Sequence, residues 1–166
     1  MVQSFLNFRN RVFSGFKKGI LRRIHFDCLV TGTLRDRFGN IIDVRKSHNL
    51  ITDAGFDFIS DVIGNGTQPG EMSHIAIGTG VTAAAVTDTA LETELTRLAA
   101  TYSHTVGTKV FILQALFGQG VGTGAITEAG LLNAAAAGTL LDRTVFAVIN
   151  KGANDELTEK FEFTMS

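Results

Sequence analysis

The C-terminal end of the chain carries the pattern that most constrains the fold. Residues 144–149 are mostly apolar, and a glycine-containing turn sequence follows at residues 152–155. Beyond the turn, Leu157, Phe161 and Phe163 alternate with polar residues. Alternation with a period of two places apolar side chains on one face of a strand. The sequence therefore predicts a terminal hairpin with one buried face.

Strands are predicted over much of the remaining chain. Residues 25–46 predict a hairpin, because two runs with strand-like alternation flank the turn-forming pair Gly39-Asn40. Further strands are predicted at residues 72–77, 101–106, 109–117 and 126–132. The run at 109–117 is almost continuously apolar, which is typical of a strand buried on both faces. With 18 glycines and one proline, the composition suits strands joined by glycine turns.

One helix is predicted in the body of the chain, after the leading hairpin. Its apolar face would consist of Ile51, Ala54, Gly55, Phe58, Ile59 and Val62. Thr52 or Asp53 can cap the start of this helix, and Gly64 and Gly66 can end it. Its apolar stripe is expected to pack on the sheet.

A long loop rich in alanine and threonine follows the predicted strand at 72–77. The turn Gly78-Thr79-Gly80 opens this loop, which reaches Ala90. A long loop without periodicity in a compact domain is usually covered by a partner or used for contact. The leucine spacing at 91–98 then predicts a short helical turn bearing Glu92, Glu94 and Arg97.

The N-terminal residues differ from the rest of the chain in charge. Six of the 15 basic residues lie in the first 23 positions, where there is no acidic residue, and the remainder has nine basic and 16 acidic side chains. Phe5, Phe8, Val12, Phe16 and Ile20 follow helical spacing. We expect residues 1–24 to form a basic amphipathic arm and residues 25–166 a single β-rich domain, with the leading hairpin at 25–48.

The expected fold is therefore mainly β, of the α+β type. It comprises an antiparallel β-sandwich-like domain with one packed helix, preceded by a basic amphipathic helical arm. We expect the arm to bind a groove of a neighbouring subunit, with apolar anchors and with basic residues on an acidic rim. The predicted contact residues are Phe5, Phe8, Arg9, Val12, Phe13, Phe16, Lys17, Lys18, Ile20, Arg22 and Arg23.

Other surfaces for the arm stay open at this point. It could pack on its own domain, lie on a membrane, or bind nucleic acid through its basic face. Protein is favoured over nucleic acid, because no aromatic platform accompanies the basic residues. A secretion signal is excluded, since Lys17 and Lys18 interrupt the place where its apolar core and cleavage site should be.

Sequence patterns for catalysis or cofactor binding are missing. The glycine-rich residues 118–124 lack the spacing of the dinucleotide fingerprint, and no Gly-Lys-Ser/Thr sequence exists for a P-loop. Cys28 is the only cysteine and is expected to be a small apolar residue in a strand. The four histidines, His25, His48, His74 and His104, have no metal-ligand spacing. We expect no enzyme, no metal and no cofactor.

Four short segments carry a resemblance to a known family. They lie at residues 50–55, 75–80, 91–97 and 126–131. In their order and spacing they resemble the tail-collar fibre domain, which anchors tail fibres to the baseplate or collar of tailed-bacteriophage virions. The resemblance spans roughly residues 50–166.

The resemblance implies structural roles for particular residues. These are Gly55, Gly78, Gly80, Glu94, Arg97, Glu128 and Gly130. Glu128 lies inside an apolar segment, where a carboxylate must find a partner or face water. We expect Glu128 to contact a backbone amide or Arg97.

The resemblance also implies a function. It favours a structural protein of a phage virion, assembled in the host cytoplasm, that acts as an adaptor or fibre-attachment subunit at the tail, neck or baseplate. The family domain usually begins a long fibre polypeptide, whereas this chain ends at Ser166, so a stand-alone subunit is expected. Self-association as a trimer or ring is expected, because sheet edges and long loops need cover.

Two other functions are open. One is a capsid decoration protein that clips onto the shell through the same arm. The other is a non-viral binding module or enzyme, and the lack of site chemistry and of tryptophan counts against it.

Overall fold

The computed structural model describes residues 24–65 and 69–166. The predicted arm lies outside these residues, except for Ile24. The elements are β1 (Phe26–Arg35), β2 (Ile41–His48), β3 (Leu50–Ile51), α1 (Asp53–Gly64), β4 (His74–Gly78), β5 (Glu94–Ala99), β6 (Thr101–His104), β7 (Val110–Phe117), β8 (Gly124–Leu132), β9 (Leu140–Lys151) and β10 (Glu156–Met165). The fold is mainly β, as predicted. In the described part of the chain, no helix has the length and apolar character needed to cross a membrane.

The strands form two antiparallel sheets of five strands each. The first sheet has the order β2-β1-β10-β7-β6, and the second has the order β3-β9-β8-β4-β5. The chain passes directly from β2 to β3 at Asn49 and from β5 to β6 at Ala100. Both pairs are edge strands, so continuous chain bridges the two sheets along both edges of the sandwich.

The core lies between the sheets and follows the strand alternation. Cys28, Val30 and Leu34 of β1 point inward, which confirms the strand prediction for Cys28 and for the leading hairpin. Phe161 and Phe163 of β10 face the same core and are buried. Burial of each such side chain contributes about 1.5–3 kcal/mol, so this core is the main source of stability.

The predicted helix forms and packs on the second sheet. Thr52 caps it, and its hydroxyl accepts a hydrogen bond from the backbone N–H of Gly55 at 2.9 Å. An added Cβ at Gly55 would lie only 2.1 Å from the backbone oxygen of Leu141 in β9. Glycine at this position therefore lets the helix approach the sheet closely, and Phe58 is buried one turn later.

The predicted terminal hairpin is wrong, because β9 and β10 do not pair. β9 pairs with β3 and β8 in the second sheet, whereas β10 pairs with β1 and β7 in the first. Residues 152–155 therefore carry the chain from one sheet to the other. The buried Lys151 holds this crossing, since its Nζ donates to the backbone oxygens of Gly118 and Asp155 at 2.9 and 2.8 Å. A strand shows the same alternating pattern whether the next strand in the sequence pairs with it in one sheet or lies in the opposite sheet.

Two further predictions are corrected by the structure. β7 is not buried on both faces, because Leu113, Ala115 and Phe117 point inward while Gln114 and Leu116 are exposed. The predicted helical turn at residues 91–98 is also wrong. Its second half forms β5, in which pairing with β4 overrides the helix-like leucine spacing.

Candidate functional site

The four segments of the resemblance meet in the second sheet. The first segment contains β3 and the start of α1, and the second contains most of β4. The third contains the residues before β5 and most of β5, and the fourth contains most of β8. β4 lies between β5 and β8, so Gly78 pairs with Glu94 on one side and with Glu128 on the other. Segments far apart in the sequence are thus joined around one point of the sheet.

Glu128 is fully buried at this point, and its carboxylate accepts four hydrogen bonds. Oε1 accepts from the backbone N–H groups of Gly80 and Thr93 at 2.9 and 2.8 Å. Oε2 accepts from the backbone N–H of Glu92 at 3.0 Å and from Nε of Arg143 at 2.9 Å. The predicted contact with backbone amides is confirmed.

Arg143 of β9 connects Glu128 to the long loop at residues 79–93, which we call the Ala/Thr loop. Its Nη1 donates to Oδ2 of Asp88 at 2.8 Å, and its Nη2 donates to the backbone oxygen of Thr82 at 3.1 Å. Burial lowers the pKa of Arg143, but the hydrogen bonds to Asp88 and Glu128 outweigh burial and leave the pKa above its usual value. Both ends of this ion pair are buried and charged.

The Ala/Thr loop also carries hydrogen bonds of its own. The Glu92 carboxylate accepts from the backbone N–H and the hydroxyl of Thr82 at 2.8 and 2.7 Å. These bonds, the backbone one first, lower the pKa of Glu92. Asp88 accepts from the backbone N–H of Ala85 at 2.9 Å. Charged groups therefore fasten the loop by hydrogen bonds at three places. Glu128 binds its two ends, and Arg143 binds Asp88 in its middle.

The outer side of the Ala/Thr loop faces solvent. Val81 and Val86 are 72% and 44% exposed. The backbone oxygen of Val86 accepts from the N–H of Asp53 at 2.8 Å, which ties the loop to the start of α1. The loop thus presents apolar side chains from a fixed backbone.

Three glycines of the segments lie where another part of the chain approaches their backbone closely. An added Cβ at Gly78 or Gly80 would lie 2.5 Å from Oε1 of Glu128 in each case. A Cβ at Gly130 would lie 2.7 Å from Cδ1 of Leu91. All three glycines leave room for the buried carboxylate or for the chain around it.

The alternative contact for Glu128, with Arg97, does not form. Arg97 lies on β5, and its Nε and Nη2 donate to the Glu94 carboxylate at 3.0 and 2.8 Å. Its Nη1 donates to the backbone oxygens of Ala134 and Ala137, both at 2.8 Å. Arg97 and Glu94 therefore hold the connection between β8 and β9, on a strand separated from β8 by β4.

The Glu128 site can fix a loop but offers little for chemistry. A carboxylate has about four acceptor positions, and in Glu128 four donors occupy them. The side chain has no exposed surface through which a substrate could reach it. Within residues 24–65 and 69–166, no group of three His, Cys, Asp or Glu side chains is placed to hold a metal ion.

Two buried ionisable residues of this region were missed by reasoning from sequence. Arg143 is the cationic partner of Glu128, and its neighbour Asp142 is buried with Oδ2 accepting from Nδ2 of Asn49. Burial raises the pKa of Asp142 to about 8. Adjacent ionisable residues inside the apolar run at 140–149 were the available signal, of the same kind as Glu128 within its own segment.

Comparison of the chain with family models, curated proteins and solved structures finds no match. The likeness of the four segments to the tail-fibre anchoring domain therefore stands on the residues alone. The predicted contact residues of the arm lie outside the described residues.

Proposed function

We propose that this chain is a structural protein of a tailed-bacteriophage virion, assembled in the host cytoplasm. It acts as an adaptor or fibre-attachment subunit at the tail, neck or baseplate. The N-terminal arm joins it to a neighbouring virion protein, and the subunit associates with copies of itself.

The observation that carries this proposal is the support given to the Ala/Thr loop. Glu128 and Arg143 are both buried and charged, an arrangement whose desolvation costs several kcal/mol per ion before any pairing. Their hydrogen bonds are directed at the loop, to Gly80, Thr82 and Thr93 among others. A fixed, partly apolar loop is suited to contact another protein, whereas no group in the site is free to react.

The resemblance supports the same role in a second way. The segments that resemble the fibre-anchoring domain supply Glu128 and the glycines around it, which are one half of the loop support; Arg143 lies outside them. Their glycines and charged residues serve the scaffold, which agrees with a protein whose role is to hold others in place. An attachment subunit requires a rigid surface rather than a reactive one.

Electron microscopy of particles that contain a tagged copy of the chain tests the location. Density in a small ring at the tail, neck or baseplate is the expected result. Many copies spread over the shell would contradict the adaptor role and favour capsid decoration. Absence from purified particles would contradict both virion roles.

Deletion of residues 1–23 tests the role of the arm. The shortened chain is expected to remain folded, with an unchanged far-ultraviolet circular dichroism spectrum of its strands, and to be lost from particles. Incorporation at the level of the full chain would remove the arm from assembly.

A further inference from the structure

An apolar groove lies between α1 and residues from strands of both sheets. It has a volume of about 270 Å³ and is lined by apolar side chains alone. They include Phe58, Val62 and Ile63 of α1, Phe26 at the start of β1, Met165 at the end of β10, and Met72. A cavity of this size and lining accommodates one or two large apolar side chains.

The rim of the groove is also apolar. Val62 and Ile63, which line the groove, are 40% and 77% exposed. Single exposed apolar residues are common, but a groove with such a rim marks a contact surface.

The helix α1 is negatively charged, on the face opposite its groove-lining side chains. Asp53, Asp57 and Asp61 lie at successive turns of α1 and are exposed, and this helix contains no lysine or arginine. The first 23 residues carry six basic side chains and no acidic one. The segment that precedes the domain therefore has a charge opposite to that of α1, and its phenylalanines match the apolar lining of the groove.

The chain enters the domain at the rim of the groove. His25 exchanges two backbone hydrogen bonds with Ser166, at 2.8 and 3.1 Å, and the next residue, Phe26, lines the groove. Only Ile24 separates the first 23 residues from this fixed point. A short tether gives the segment an effective concentration in the millimolar range at the groove, without any second molecule.

We propose that residues 5–20 dock in this groove of their own chain. Phe5, Phe8, Val12, Phe16 and Ile20 supply the apolar side chains that enter the groove and cover its rim. This docking concerns the free chain, and it holds whether or not the chain assembles into a virion.

Photo-crosslinking of the full chain tests the proposal. Phe16 is replaced by p-benzoylphenylalanine, whose excited ketone inserts into nearby C–H bonds and readily attacks methionine. Irradiation at low protein concentration is expected to give a product with the mass of one chain. Peptide mapping should place the new bond on residues that line the groove, Met72 or Met165 among them.

Two substitutions complete the test. Ile63→Asp puts a charge at the rim and is expected to reduce the crosslink by about tenfold or more, because the apolar contact is lost. Val106→Asp is the matched control, since Val106 is 90% exposed and lies on the turn between β6 and β7. It should leave the crosslink unchanged, and circular dichroism should show both variants folded.

Each other outcome overturns the proposal. Crosslinked dimers would show that the segment occupies the groove of a second copy. Crosslinks outside the groove, no crosslink, or equal yields from Ile63→Asp and Val106→Asp would show that the groove does not bind it. These results are independent of particle incorporation, which tests the proposed function.

Discussion

Glu128 and Glu159 are both fully buried, yet their surroundings are opposite. Glu128 lies in the second sheet and accepts hydrogen bonds from three backbone amides and from Arg143. Glu159 lies in the first sheet, on the core face of β10, and neither of its carboxyl oxygens has a hydrogen-bond partner in the described residues. The comparison shows that burial alone does not tell what a carboxyl group does in a fold.

Glu159 is accommodated by its small neighbours. Gly32 of β1 and Ala115 of β7 pair with it from either side. An added Cβ at Gly32 would lie 2.7 Å from Oε1 of Glu159. Burial without a partner raises the pKa of Glu159 to about 8, so the folded chain keeps this carboxyl protonated at neutral pH. Glu128 is therefore a hydrogen-bonded support for the fold. Glu159 is a neutral side chain whose burial without a partner lowers the free energy of unfolding.

The largest expected effect is the loss of Glu128. Glu128→Ala leaves Arg143 buried without its carboxylate and leaves three amides without an acceptor. We expect the free energy of unfolding to fall by about 3–5 kcal/mol, as for other broken buried ion pairs. Urea denaturation measures the loss, and hydrogen exchange should show faster exchange at Gly80 and Thr93.

Glu162→Ala is the control for this prediction. Glu162 pairs with Lys160 on the same strand as Glu159, but both side chains are about one third exposed. Such a pair contributes less than about 1 kcal/mol. Equal losses from Glu128→Ala and Glu162→Ala would show that the buried pair is not a support.

The second prediction is a gain in stability from Glu159→Met. Methionine has a similar length, and its substitution removes a buried polar group that lacks a partner. We expect the free energy of unfolding at pH 7 to rise by about 1–3 kcal/mol. Glu159→Gln is the matched control, because it removes the titrating proton but keeps an unpaired polar group; its gain should stay below that of Glu159→Met at pH 7 and should be close to zero at pH 5. A loss of stability in Glu159→Met would mean that the carboxyl is stabilised in the folded chain.

The third prediction concerns pH. Folding raises the pKa of Glu159 from 4.5 to about 8 and that of Asp142 from 3.8 to about 8. Between these limits the folded chain binds more protons than the unfolded chain, so stability falls as the pH rises. Each carboxyl contributes a slope of up to about 1.4 kcal/mol per pH unit, which ends above pH 8.

Urea denaturation between pH 5 and pH 9 measures this slope. Glu159→Gln and Asp142→Asn should each flatten it by one proton, and the double variant by two. Asp88 and Glu92, whose pKa values are lowered, titrate below this range and do not contribute. A slope that is unchanged in both single variants would show that other groups release the protons.

Local pattern explains which parts of this fold could be predicted from sequence. The leading hairpin and α1 depend on residues close in the chain, such as the Asp36–Asn40 turn and the Thr52 cap, and both were predicted. Strand partners depend on residues far apart, so the terminal strands were wrongly paired. β5 was missed because its leucine spacing suits a helix, and only its pairing with β4 makes it a strand.

The candidate site shows the same limit. The chemistry of Glu128 could be predicted, since a carboxylate in an apolar segment requires donors, and backbone amides are its main donors. The identity of the cation could not, because Arg97 and Arg143 are both separated from Glu128 in sequence. Strand order decides between them: β9 adjoins β8, and β5 does not.

The smallest expected effect separates the two arginines. Arg97→Lys keeps the charge but cannot reach Glu94, Ala134 and Ala137 together as the planar guanidinium does. We expect a loss of about 1 kcal/mol in the free energy of unfolding, with faster hydrogen exchange confined to the connection between β8 and β9. Exchange in the Ala/Thr loop should stay unchanged, because Arg143 and Glu128 hold that loop. Faster exchange in both places would show that the two arginines support one cooperative unit.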